Sequence, residues 1–158
     1  MQPSEKHPES KVKIRFPDCD PFDHLNNSRY IDYFLNARED HLLDYYNFDL
    51  ARHTREKGIG WLVTQNSIAY FKPAATMETV TIQTRLLSYT ERELLLESTM
   101  WNEDKTKLKA LLWTKFTHFN FATKKSETHS QELNYLFRDV VYPLDQEVTF
   151  EERIKEMK

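Results

Sequence analysis

The sequence predicts an α+β fold: a mainly antiparallel β-sheet wrapped around one long α-helix, with an extra helical tail at the C-terminus. Three observations predict it. A run from about Asn27 to about Tyr46 repeats apolar residues at spacings of three, four and seven. One strand-like segment precedes that run and four long ones follow it. A single helix beside a mainly antiparallel sheet buries its apolar stripe by having the sheet curl around it. The pattern alone does not separate this arrangement from other α+β folds.

Taken in order, Val12, Ile14 and Phe16 alternate with Lys11, Lys13 and Arg15, a strand with one wet face. Pro17 and Pro21 end it. In the long helix Ile31, Phe34, Leu35, Leu42, Tyr45 and Tyr46 carry the period, and Asn26 or Asn27 can cap its start. A further turn or two is expected over residues 49–56. Lys57-Gly58-Ile59-Gly60, with the chain's only two glycines, breaks the pattern. Strands are expected at Trp61–Phe71, Met77–Ser88, Glu93–Trp101 and Leu108–Phe121, with a turn at Asn102-Glu103-Asp104-Lys105. Gln131–Phe137 reads as a short helix, and Thr149-x-x-Glu152 as a capping box before a charged terminal helix.

A chain of 158 residues suits one domain with one core. We expect a disordered lead-in over residues 1–10, the main domain over 11–123, and an extension over 124–158 packed on the same domain. The net charge of −3 gives no basic field for nucleic acid. One cysteine excludes an internal disulfide. Residues 1–11 are polar without an apolar h-region, and no run of about 18 apolar residues exists. The expectation is a cytoplasmic protein with neither signal peptide nor membrane partner.

The stretch Phe16 to Tyr30 is where chemistry concentrates. It joins Asp18, Asp20 and Asp23 to His24, Asn26 and Asn27 at the start of the long helix. Three aspartates between strand and helix can be a solvated turn. They do not form a calcium loop, because Phe22 stands where an oxygen ligand is needed and no glycine follows. Alternatively, one carboxylate sits beside the open N–H groups of a helix start. Such donors stabilise an oxyanion, and the carboxylate attacks a carbonyl carbon or activates water. His24 reads as a helix-start hydrogen-bonder, a buried structural residue or a site residue. Asn26 and Asn27 read as caps, and a cap also fixes the amides of an oxyanion hole. Tyr30 reads as helix core or substrate wall. The histidines lack metal-ligand spacing, so no metal is expected. Neither a GxSxG elbow nor a phosphate-cradling glycine loop is present.

The order Asp18-Cys19-Asp20, His24-Leu25-Asn26-Asn27, then Tyr30 resembles the signature of hotdog-fold acyl-CoA thioesterases of the 4-hydroxybenzoyl-CoA thioesterase type. Lys57-Gly58-Ile59-Gly60-Trp61 and Tyr70-Phe71-Lys72-Pro73-Ala74 look like that family's second-strand region. The resemblance spans about residues 11–123. It implies Asp20 as the catalytic carboxylate and the amides near Asn26 and Asn27 as the thioester oxygen's donors. His24 would order the loop or a water. Asp23, Tyr30 and Trp61 would contact substrate. It also implies an acyl-CoA substrate, no cofactor, and a homodimer or homotetramer with active sites at the subunit interface. Asp23 departs from the family, where glycine is common; a carboxylate there can crowd the acyl group or repel Asp20. The expected activity is acyl-CoA hydrolysis to a carboxylic acid and CoA. The alternative is a non-catalytic hotdog protein that binds acyl thioesters or serves as an assembly subunit.

Overall fold

A computed structural model describes residues 4–158. One antiparallel sheet holds six strands: β1 (Glu9–Lys13), β2 (Ile59–Tyr70), β3 (Thr79–Tyr89), β4 (Glu93–Asn102), β5 (Leu108–Asn120) and the two-residue β6 (Lys125–Ser126). Their order is β1-β3-β4-β5-β2, with β6 on the end of β5. The helices are α1 (Tyr30–Tyr46), α2 (Leu50–Lys57), α3 (Gln131–Val140) and α4 (Phe150–Met157). This is the hotdog arrangement: α1 lies against the inner face of a curled sheet.

The apolar stripe of α1 explains the packing. Tyr30, Tyr33, Phe34 and Ala37 recur at helical spacing and are buried. They meet Val80 and Ile82 of β3, Met100 of β4, and Ala110 and Leu112 of β5 in one core. The helix stops where Asn47 enters the left-handed region at φ 52° and donates its N–H to the Leu43 carbonyl. Asp49 caps α2, and Gly58 ends it at φ 66°, a conformation that glycine adopts without a Cβ clash. Gly60 has a different reason: a Cβ there would meet Thr54 Oγ1 at 2.9 Å, so its absence lets α2 rest on β2.

Two expectations need correction at the N-terminus. The expected disordered lead-in over residues 1–10 falls partly on residues 1–3, outside the described residues. Its last two residues, Glu9 and Ser10, are strand and pair with Gln83 and Ile82. The strand therefore begins earlier than expected. It also ends earlier, at Lys13, because Phe16–Asp18 closes into a 3-10 turn whose second residue is Pro17.

The tail divides its contacts between the two faces of the sheet. On the inner side, Leu133, Phe137 and Val140 of α3 pack with Leu86. Beyond it, Val141 bridges Leu86 beside the bulge between Leu86 and Ser88. On the outer side, Phe150 of α4 packs edge-on against Trp113, and Arg153 grips Glu97 through Nε at 2.7 Å and Nη2 at 2.8 Å. The capping box expected at Thr149 and Glu152 is present.

Candidate active site

Residues 18–30 form a compact knot at the start of α1, and its order comes from local hydrogen bonds. Asp20 Oδ1 accepts the N–H groups of Phe22 (2.9 Å) and His24 (3.1 Å), and the Asp20 N–H donates to the His24 carbonyl (2.8 Å). A short carboxylate that turns back onto the next backbone amides is typical turn chemistry. Here it leaves Oδ2 without a hydrogen bond among the described residues. Asp20 is half-buried. One oxygen thus holds the loop while the other remains open for chemistry.

Asp18 has a different task. Its Oδ2 accepts from the Tyr33 hydroxyl at 2.6 Å, tying the loop to α1. Burial and that hydrogen bond push the Tyr33 hydroxyl up to about 12. Asp23 sits at φ 63°, the left-handed conformation that favours glycine. Its carbonyl accepts from the Thr76 N–H (2.9 Å), so the unusual backbone is pinned from the facing loop.

The helix start separates the two asparagines. Asn26 Oδ1 accepts from the Ser28 N–H at 3.0 Å and caps the 3-10 turn Asn27–Arg29 that leads into α1. The Asn26 N–H is itself taken, since it donates to the Asp18 carbonyl at 2.9 Å. The Asn27 N–H has no partner among the described residues, as expected for the first amide of a helical turn. Of the two amides named from sequence, only that of Asn27 is open. Tyr70, at the end of β2, steadies the turn from the sheet by donating its hydroxyl to the Asn27 carbonyl at 2.9 Å. No sequence pattern singled Tyr70 out for this, because the contact joins residues 43 apart in the chain.

The remaining expected residues fall in three places. His24 is half-buried and bridges Ala75 through its backbone, beside Asp20. Tyr30 is only 2% exposed; its hydroxyl accepts the Ala74 N–H and its ring packs edge-on against Tyr70. It belongs to the helix core. Trp61 is not with the others. It stands nine residues before Tyr70 on β2, about 30 Å away along an extended strand.

Trp61 lines a cavity of about 240 Å³ between the C-terminal half of α1, the sheet and α3. Leu42, Phe48, Leu96, Phe116 and Phe137 form much of its wall. The indole N–H of Trp61 donates to His129 Nε2 at 3.1 Å, which identifies Nδ1 as the protonated nitrogen of His129, donating to the Thr90 carbonyl. Burial lowers His129 to about 4, so it remains a neutral acceptor. Among the described residues, no group of three His, Cys, Asp or Glu side chains gathers as metal ligands would.

Comparison with known proteins agrees with this fold. The family model of the thioesterase-like superfamily matches residues 14–155. The long-chain acyl-CoA thioesterase FadM of Escherichia coli (strain K12) is 24% identical over 133 residues, covering 84% of this chain and 98% of the relative. Among solved structures, the DHNA-CoA thioesterase of Staphylococcus aureus superposes with a TM-score of 0.78 at 19% identity, over 85% of this chain and 90% of that one. The probable thioesterase YbaW of Escherichia coli gives 0.72 at 24% identity, over 85% and 98%.

Proposed function

Because this chain belongs to the thioesterase-like superfamily, we propose that it is an acyl-CoA thioesterase, converting acyl-S-CoA and water to a carboxylic acid and CoA. The observation that carries the reading is the pairing of Asp20 with the start of α1. The carboxylate is anchored through Oδ1 and open at Oδ2, and the unpartnered Asn27 N–H lies at the positive end of the helix dipole. The thioester oxygen accepts from the Asn27 N–H, which stabilises the tetrahedral oxyanion. Asp20 attacks the carbonyl carbon and displaces the thiolate to give an anhydride that water then hydrolyses, or it takes a proton from a water that attacks the carbon itself. The thiolate of CoA leaves without a dedicated acid. His24 borders the loop and orders the water, and Asn26 holds the turn that presents Asn27.

Assembly belongs to the same proposal. Among the described residues, the outer edge of β2 pairs with no other strand, and Leu62 and Val63 are exposed on it. Two β2 edges meeting antiparallel form a homodimer and bring the Trp61 end of one protomer toward the Asp20 end of its partner. Trp61 then borders the partner's acyl site although it is remote from its own. A tetramer of two such dimers remains an alternative assembly. A cytoplasmic location belongs to the same proposal; no described helix is long and apolar enough to cross a membrane.

Asp23 favours a second reading, a non-catalytic hotdog protein that binds acyl thioesters or serves as an assembly subunit. Its carboxylate stands three residues from Asp20 where the family pattern commonly has glycine. Thiol release from short, long and aromatic acyl-CoAs tests both readings. Asp20→Asn keeps the Oδ1 acceptor for Phe22 and His24 while removing the charge, so the loop survives. Turnover falls at least about a hundredfold if Asp20 is base or nucleophile. Near-normal turnover by the folded variant would overturn the role of Asp20. Binding without turnover by the wild type would favour the second reading.

A further inference from the structure

The apolar cavity has two charged residues in its lining, Arg38 and Glu39, and the mechanism uses neither. Arg38, on α1, contributes to its wall. Its guanidinium donates from Nη1 to Thr84 Oγ1 at 2.9 Å and lies 5.8 Å from the centre of the Tyr46 ring. Both partners are neutral. No carboxylate comes within ion-pair distance of Arg38 among the described residues. The contrast is with Arg85 and Arg153, which share Glu97 at 3.7 and 2.7 Å. Glu39 also borders the cavity, but it is exposed at the rim and makes no ion pair with Arg38.

A guanidinium set into an apolar wall without a counter-charge is costly, and an anion entering the cavity offsets that cost. The planar fork of arginine suits a carboxylate, which it can bind through two parallel hydrogen bonds. Size narrows the ligand further. A cavity of roughly 150 Å³ accommodates benzene, with six carbons. By proportion, 240 Å³ takes an apolar body of about ten carbons.

We propose that the cavity between α1, α3 and the sheet binds a carboxylate carried on an apolar body of about ten carbons, with Arg38 holding the carboxylate. Two sources share this chemistry. One is a free acid, the product class of thioester hydrolysis. The other is an acyl thioester whose far end bears a second carboxylate. The binding claim goes beyond the thioesterase reading and does not depend on turnover by Asp20.

Titration calorimetry of the full chain with decanoate and with 1-decanol tests it. We expect the wild type to bind decanoate at least about tenfold tighter than decanol, as a paired buried charge allows. Arg38→Gln loses that preference while keeping its affinity for decanol, which also reports an intact cavity. Arg38→Lys keeps the charge without the fork and retains part of the preference. Leu136→Trp fills the cavity and weakens both ligands. Equal wild-type affinity for the two ligands, absence of binding, or a preference that survives in Arg38→Gln would overturn the proposal. If Arg38→Gln does not fold, loss of the whole preference in folded Arg38→Lys overturns it instead. Hydrolysis of decanedioyl-CoA against decanoyl-CoA separates the sources. An Arg38-dependent preference for the diacid supports the distal carboxylate, and decanoate binding without that preference supports the free acid. If neither thioester turns over, the thioesterase reading fails while the binding result stands.

Discussion

Lowering the pH from 7 to 5 should destabilise the fold through His41, and the hydrogen bonds around it set the size of the effect. His41 is 1% exposed on the buried face of α1. Thr84 Oγ1 accepts from Arg38, so its own proton goes to His41 Nδ1 at 2.7 Å. His41 Nε2 then carries the ring proton and donates to Ser10 Oγ at 2.8 Å. A second ring proton would face the Thr84 hydroxyl and sit near the Arg38 charge. Burial first, and then Arg38, lower the His41 pKa from 6.5 to about 4. The folded value lies below the unfolded one, so the stabilisation is present above pH 6.5 and is lost as the pH falls toward 4. At pH 5 the unfolded ring is protonated and the folded ring is not, a loss of about 2 kcal/mol relative to pH 7. Urea unfolding of wild type and His41→Gln at both pH values measures it. The variant should lose about 2 kcal/mol less than the wild type between the two, whatever its stability at pH 7. Burial lowers His129 in the same direction, but it remains in both proteins and cancels. An equal loss in the two proteins would refute the assigned network.

Two further outcomes follow from the geometry. Glu97 is 2% exposed and accepts from Arg153 and from the Trp113 indole at 2.8 Å, with Arg85 beside it. Glu97→Gln strands the Arg85 charge and leaves Arg153 only its pair with Glu156, and should cost about 3 kcal/mol, with early proteolysis after residue 140 as α4 loosens. Asp23→Gly places the residue suited to φ 63° at that position, so thermal unfolding should move stability by no more than about 1 kcal/mol in either direction. If the Asp23 carboxylate crowds the acyl site, kcat/KM rises in the same variant; an unchanged value would remove Asp23 as an obstacle.

What could be read from the sequence was what neighbours along the chain decide. The helical character of α1, the break at Gly58, the cap at Thr149 and the alternation of the long strands all rest on contacts within a few residues; the buried face of α1 was not read, since Tyr30, Tyr33 and Ala37 join Phe34 in the core while Tyr45 is exposed. The motif from Asp18 to Asn27 was legible for the same reason, since Asp20 folds its own loop through amides two and four residues away. Failures began where distant segments compete for one group. The Asn26 amide looked available until the loop carried the Asp18 carbonyl to it. The hydrogen bond from the Ala74 N–H to the Tyr30 hydroxyl, between residues 44 apart, left no local signal either.

By itself, the sequence determined that one long helix starts at a polar, carboxylate-bearing turn and that long strands follow it. Its apolar periods and its caps fixed those elements, but not how the sheet curls around the helix. Only the tertiary structure decided that Trp61 stands at the far end of β2 from Asp20, that Tyr70 braces Asn27, and that Arg38 lines an apolar cavity with no carboxylate in ion-pair distance among the described residues. Periodicity says which face of an element is buried. Which residue meets which across that face depends on strand order and register, and these are set by pairing between segments far apart in the chain.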